Sequence, residues 1–323
     1  MITFSRRGVV LGLSILPALP VRAADIWPRR PIVLIHGFPP GGPVDVLSRL
    51  LAEPLSRELG QSVVVEAKPG ATGTTAAALV ARGQPDGYTL LAVPGTFTAT
   101  AAMLKSLPYN PIEDFTFIST TAEYPLVMVT HPDSGMQTLA DVVRGARSRN
   151  APLQYGTAGV GSIMHLSMER FASQANIRLQ HIPYKGGMPA LIDLLGKRLD
   201  LVLDPPTALV QFVIDNRLRA LTVTGADRFF ALPHVPTMTE AGFLGFVVAV
   251  YQGIAGPARL PTDIVTRLNR AIAVILADPI LREKMRNVGN NPAPSSADAY
   301  KARVVADTAL WRRVVEDAHI ARI

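Results

Sequence analysis

No cysteine occurs among the 323 residues. A disulfide, a thiolate nucleophile and a cysteine-ligated metal are therefore excluded. Histidine is scarce as well, at His36, His131, His165, His181, His234 and His319. No two of these have the close helical spacing of a zinc pair, so no metal site is expected. Nucleotide fingerprints are missing too. There is no G-x-x-x-x-G-K-[ST], and Gly156, Gly159 and Gly161 miss the spacing of G-x-G-x-x-G, so no cofactor is expected. Charged residues make up only 18% of the chain and apolar residues 48%. That balance suits a chain that buries a core rather than one that stays disordered. No internal repeat or low-complexity stretch points to a solenoid or a tail.

Basic residues exceed acidic ones, 32 against 25, but Arg6, Arg7 and Arg22 lie in an apparent leader without acids, so the net +7 falls to +4 beyond it. The remaining basic residues are scattered, with no run interleaved with aromatics. This predicts a solvated, mildly basic surface and no nucleic-acid partner.

Residues 1–23 have the form of an export signal. Arg6-Arg7 open it, and Gly8 to Pro20 is apolar but short for a bilayer span. Val21-Arg22-Ala23 offers small residues at a peptidase site, with Ala24 beginning the mature chain. Ser5-Arg6-Arg7 before Gly8-Val9-Val10 suggests the twin-arginine route. A periplasmic, monomeric protein is expected.

Beyond the leader, short β-branched runs alternate with helical patterns. Strands are predicted at 31–35, 63–65 and 89–93, with helices from Pro43 and over 73–83. The apolar spacing Val44, Leu47, Leu51, Leu55 marks one helix face, and Pro43 suits a first helical position. A second unit begins near Leu126. It has strands at 153–155, 179–182, 199–203 and 218–223, with helices around 138–149, 162–175, 188–196 and 206–215. The tail from Pro261 is helical. The order predicts an α/β protein whose sheets are mainly parallel and flanked by helices. One lobe is expected from residues 24–124 plus 240–323, the other from 125–239.

Two glycine-rich turns stand out, Phe38-Pro39-Pro40-Gly41-Gly42-Pro43-Val44-Asp45 and Tyr155-Gly156-Thr157-Ala158-Gly159-Val160-Gly161-Ser162. Each joins a strand to a helix start, where backbone amides lack internal partners and the helix dipole favours an anion. Ligands of open α/β sheets bind outside the carboxyl ends of the strands. Facing cradles across a cleft would grip the two ends of a dicarboxylate, and hinge closure would bury it. Ser162 reads equally as a ligand hydroxyl and as a helix cap.

The segment Val33-Leu34-Ile35-His36-Gly37-Phe38-Pro39 also looks like the oxyanion segment of an α/β-hydrolase. That enzyme reading needs a G-x-S-x-G elbow, and around Ser162 the glycine positions hold Val160 and Met164. A ligand sensor docking on a membrane signalling protein is a third reading.

Taken in order, the motifs resemble the receptors of tripartite tricarboxylate transporters (the Bug, or TctC-like, family). They include Trp27-Pro28, the FPPGG turn with Asp45 and Arg49, Lys68-Pro69-Gly70, Pro85-Asp86-Gly87-Tyr88, Pro183-Tyr184-Lys185-Gly186-Gly187 and Glu240-Ala241-Gly242. The resemblance implies a two-lobed type II periplasmic-binding-protein fold with a hinged cleft, no catalysis, a carboxylate ligand, and delivery to the transporter's membrane subunits. It implies one wall from Phe38, Pro39, Gly41, Gly42 and Asp45, and another from Thr157, Gly161, Ser162 and His165. Asp204 stands where the family places a cleft-facing acid, or it caps the turn before Pro205. Thr96 and Thr98 are candidates of the same kind. Lys185 either touches the ligand or closes a surface turn. One departure is His36-Gly37, where the family shows a Val-Pro-like pair; His36 is expected to point off the cleft.

Overall fold

The computed structural model describes Met1, residues 27–317 and residues 320–322. Residues 2–23 of the leader and His319 lie outside the described residues. Among the described residues no helix is long and apolar enough to cross a membrane.

The first sheet forms around β1 (Ile32–His36), β2 (Val63–Ala67) and β3 (Thr89–Pro94), which run parallel in the order β3-β1-β2. The connections β1 to β2 and β2 to β3 are helical, α1 (Pro43–Leu59) and α2 (Thr74–Ala81). Pro43 occupies the first turn of α1, where its missing amide costs nothing. Leu47, Leu51, Leu55 and Leu59 form the buried stripe of α1, and each contributes about 2 kcal/mol by leaving water. The helix stops at Gly60, whose φ of 72° only glycine adopts cheaply.

After α3 (Thr96–Met103), the long β4 (Phe115–Pro125) lies on the far side of β10 (Ala249–Pro257), and β11 (Asn291–Pro292) closes that edge. β10 is antiparallel to both of its neighbours, so the sheet is mixed, with the order β11-β4-β10-β3-β1-β2.

The second sheet has the order β7-β6-β8-β5-β9. Its strands are β5 (Val127–Thr130), β6 (Leu153–Thr157), β7 (Leu179–Pro183), β8 (Leu201–Asp204) and β9 (Arg219–Val223). β6, β7 and β8 are parallel, and β5 runs against both β8 and β9. The connecting helices are α4 (Leu139–Ser148), α5 (Ile163–Ala175), α6 (Gly187–Leu195) and α7 (Pro206–Ile214). α4 opens with a reciprocal capping box between Thr138 and Asp141.

The chain crosses between sheets twice, at Pro125–Val127 and again before Ala249. Thr224 knots the two crossings together. Its hydroxyl accepts the Leu126 amide at 2.9 Å and donates to the Val248 carbonyl at 2.7 Å. Its backbone bonds the same two residues. Both crossings are thereby held at one point.

The tail forms α8 (Thr262–Ala277), α9 (Pro279–Asn287) and α10 (Ala297–Asp317). The expectation placed the whole tail with the first lobe, and the structure divides it. Tyr300 and Val304 of α10 pack with Tyr251 and Phe117 of the first sheet. Trp311, Val314 and Val315, farther along, join the core around the second sheet. A helix of 21 residues is simply longer than one lobe's face.

α3 is buried on every side, with all eight residues covered. Ala99, Ala102 and Met103 lie in the second lobe's core, whereas Phe97 packs among first-lobe aromatics. This helix is therefore wedged where the lobes meet.

Candidate ligand-binding site

Both glycine-rich turns lie at the carboxyl ends of their strands, the first between β1 and α1, the second between β6 and α5. The two edges meet. A Cβ placed on Gly95, just after β3, would lie 3.6 Å from Ile163 Cδ1 at the start of α5. One placed on Gly161 would lie 3.1 Å from Met103 of α3.

The first turn is built around Asp45. Its carboxylate accepts the Gly41 amide at 2.9 Å, His36 Nε2 at 2.9 Å and Arg49 Nε at 3.0 Å from both oxygens. His36 Nδ1 accepts the Phe38 amide at 3.4 Å, which leaves the proton on Nε2. Burial would raise the Asp45 carboxyl, but the bonds from Arg49, Gly41 and His36 outweigh it and hold the group below its ordinary value. The Asp45 carboxylate is thus a brace inside the turn, because all its accepting capacity is used. His36 is fully buried.

Gly37 reflects close packing. A Cβ there would sit 2.4 Å from Gly73 Cα, so two backbone segments touch at this point. The partner segment after β2 is strained, with φ of 46° at Ala71 and 54° at Thr72. Phe38 covers it, 3.2 Å from a Cβ position on Gly73. Nothing in the glycine spacing revealed this third segment of the lobe-1 edge. Lys68-Pro69-Gly70 before it was the available signal.

The second turn is braced from behind by rings. His165 stacks on His181 with centroids 4.0 Å apart, and His181 stacks on Tyr155 at 5.0 Å. His165 Nδ1 accepts the Gly161 amide at 3.3 Å, and His181 Nε2 lies 2.6 Å from Thr157 Oγ1. Tyr155 donates its hydroxyl to Glu169. Burial pushes His165 down to about 4, and burial with the neighbouring His165 pushes His181 down to about 3, so both rings are neutral at ordinary pH. Thr157 and His165, expected on the ligand wall, are spent on holding the turn. Ser162 caps α5 by accepting the His165 amide at 3.2 Å. Among the described residues nothing accepts its hydroxyl proton, so capping leaves it able to donate.

The open amides are not those of the glycines. Gly41 gives its amide to Asp45, Gly42 to the Pro39 carbonyl and Gly161 to His165. Among the described residues no acceptor meets the amides of Val44 and Asp45 on α1, or of Ile163 and Met164 on α5. These are first-turn helical amides, the group that helix geometry leaves unpaired.

Asp204 closes β8 opposite Val127, two residues past the crossing proline Pro125. It is 3% exposed, and no donor among the described residues reaches it. Burial pushes its carboxyl up to about 7. The group lies flat on α6, where a Cβ on Gly187 would overlap Oδ2 at 1.9 Å. Gly187→Ala is therefore expected to destabilise the fold by about 2 kcal/mol through overpacking. The cost should vanish in an Asp204→Ala background, because the colliding oxygens are gone. Denaturant melts of the four proteins check this coupling.

The remaining expected residues are of two kinds, buried and exposed. Thr98 is buried and donates its hydroxyl to the Gly95 carbonyl at 3.0 Å. Thr96 is buried at the start of α3. Lys185 is exposed in the turn before α6, and Pro39 and Gly41 are exposed at the tip of the first turn. No cluster able to hold a metal ion exists among the described residues.

Comparison with known proteins agrees with this architecture. The model of the tripartite tricarboxylate transporter family receptor matches residues 47–320. Protein BugT of Bordetella pertussis is 32% identical over 313 residues, covering 95% of this chain and 96% of BugT. The structure of R. palustris Rpa4515 with adipate superposes with a TM-score of 0.86 at 34% identity, covering 92% of this chain and all of that one. MatC from Rhodopseudomonas palustris with bound malate gives 0.82 at 28%, covering 90% and 100%. The chain belongs to the receptor family of tripartite tricarboxylate transporters, solute-binding proteins of two lobes that capture their ligand without transforming it.

Proposed function

We propose that the chain works in the periplasm, exported by its leader through the twin-arginine route, as a monomeric receptor for a small carboxylate. It hands that ligand to the membrane subunits of a tripartite tricarboxylate-type transporter. The observation that carries this reading is the pair of unpaired first-turn amide sets, Val44 with Asp45 and Ile163 with Met164, at the meeting edges of the two sheets. Each can take a carboxylate oxygen without a charged side chain. The Ser162 hydroxyl adds a donor, and Phe38 and Pro39 form an apolar wall. Asp204 suits a ligand group that donates, such as a hydroxyl or an ammonium, because no donor among the described residues meets it. The relatives solved with adipate and malate support the carboxylate class.

A thermal-shift screen of the mature protein against mono-, di- and tricarboxylic acids tests the reading. A binder at a hundredfold excess over its Kd should stabilise the fold by about 2.7 kcal/mol. Gly42→Val should abolish the shift yet remain folded. The φ of −76° and ψ of 169° at Gly42 suit valine, and its Cβ would meet only the Pro39 carbonyl at 3.3 Å. A full shift retained by that variant would contradict the first cradle.

A further inference from the structure

A small cavity lies beneath the first turn, at the carboxyl ends of β1 and β3 and beside the strained segment after β2. Its interior, about 10 Å³, has room for one water-sized group. Phe38, Thr72 and Gly73 form its half-buried mouth, and Phe97, Thr100 and Tyr109 its buried depth. No lysine, arginine, histidine or carboxylate lines it. Tyr109 is held neutral, its phenol pushed up to about 12 by burial. Thr100 is 4% exposed, and its hydroxyl has no hydrogen-bond partner among the described residues. A buried hydroxyl without a partner is costly, and replacing it with an apolar group of the same shape is neutral or favourable to the fold. Stability therefore gives no reason for a threonine here.

A charged group entering this cavity would lose its water and meet no counter-charge, so both a carboxylate and an ammonium are disfavoured. A methyl group would fit but would leave the Thr100 hydroxyl unpaired. A hydroxyl matches the size and completes the hydrogen bond.

We propose that this cavity is a specificity notch of the binding site that admits a hydroxyl substituent of the bound acid and pairs it with Thr100 Oγ1. The inference rests on the receptor reading and narrows its ligand class to hydroxy acids over their unsubstituted parents.

Calorimetric titration of matched pairs tests it: succinate with malate, glutarate with 2-hydroxyglutarate, and butyrate with 3-hydroxybutyrate. In the wild type at least one hydroxy acid should bind about tenfold more tightly than its parent, the worth of one buried hydrogen bond. The ratio should fall to about one in Thr100→Val and return in Thr100→Ser. The ligand-free Thr100→Val protein should melt no lower than the wild type, which separates lost recognition from lost folding. Equal affinities within every pair in the wild type would overturn the notch and leave the receptor reading standing. So would a ratio that survives in Thr100→Val, which would mean that the cavity holds an ordered water only. If no acid of any pair binds the wild type while another acid of the wider screen does, the notch fails and the receptor reading stands; if no acid of that screen binds, both fail.

Discussion

Asp45→Ala is expected to lower the stability of the protein by about 3 kcal/mol, since it strands the buried His36. Removing the carboxylate leaves the Gly41 amide and His36 Nε2 without an acceptor; His36 is fully buried and stays stranded, whereas the exposed Gly41 can turn to water. Arg49 contributes less, because its side chain is 55% exposed and water replaces the lost ion pair. The turn that carries the Val44 and Asp45 amides then loses its internal brace. Ligand affinity should fall by about tenfold or more, the equivalent of at least one hydrogen bond. Urea unfolding reports the first effect and ligand titration the second. An unchanged urea midpoint would show that the turn holds its shape without Asp45.

The same group sets a pH dependence on the acid side. The folded-state value of Asp45 is depressed below 3.8. Its contribution is therefore fully present above that pH and is lost as the pH falls through the lower folded value. Asp45→Ala should flatten this part of the stability profile.

Asp204 produces the opposite slope at higher pH. Its folded-state value is raised from 3.8 to about 7 by burial. The folded protein then holds a proton that the unfolded chain releases, so stability falls as pH rises across that window. The full span amounts to about 4 kcal/mol, since each unit is about 1.4 kcal/mol. Ligand-free protein should therefore melt higher at pH 5 than at pH 7.5. Asp204→Asn should remove the slope and melt higher than the wild type at pH 7.5, since a neutral amide bears no such desolvation penalty. Calorimetric melts of both proteins across this range measure it. A wild type with a flat profile between pH 4 and 7 would place Asp204 in contact with water or a donor. A bound ligand that supplies a donor to Asp204 should reduce the slope, which links the titration to binding.

Much of the fold was legible from periodicity. The stripe Val44, Leu47, Leu51, Leu55 with Pro43 at its head became α1, and the β-branched runs became β1, β2, β3, β6 and β7 within a few residues. What escaped was structure without a pattern. α3 has three threonines in eight residues and apolar neighbours on every side, so it carries no helical stripe. It is helical because the wedge between lobes covers it all round. β4 and β10 escaped as well, and with them the mixed character of the first sheet. β10 returns from the second lobe against β3 and β4, and no local feature announces which edge a returning strand will join.

The site shows the same division. The glycine turns, Ser162 and Asp204 could be singled out because strand, glycine and helix start follow one another along the chain. Their division of labour could not. Thr157, His165 and Asp45 were expected to face the ligand, and each proved to hold a turn in place. Their partners, His181, the Gly161 amide, and His36 with the Gly41 amide, come together only on folding. The motifs alone sufficed for the two-lobed α/β class, the strand-to-helix turns and the receptor family, because these depend on local order and hydrophobic period. Which amides stay open, why Asp204 is unpaired and where a cavity forms under Phe38 were decided by tertiary packing. A hydrogen-bonding group is free or occupied according to what its neighbours in space offer, and spacing along the chain does not carry that information.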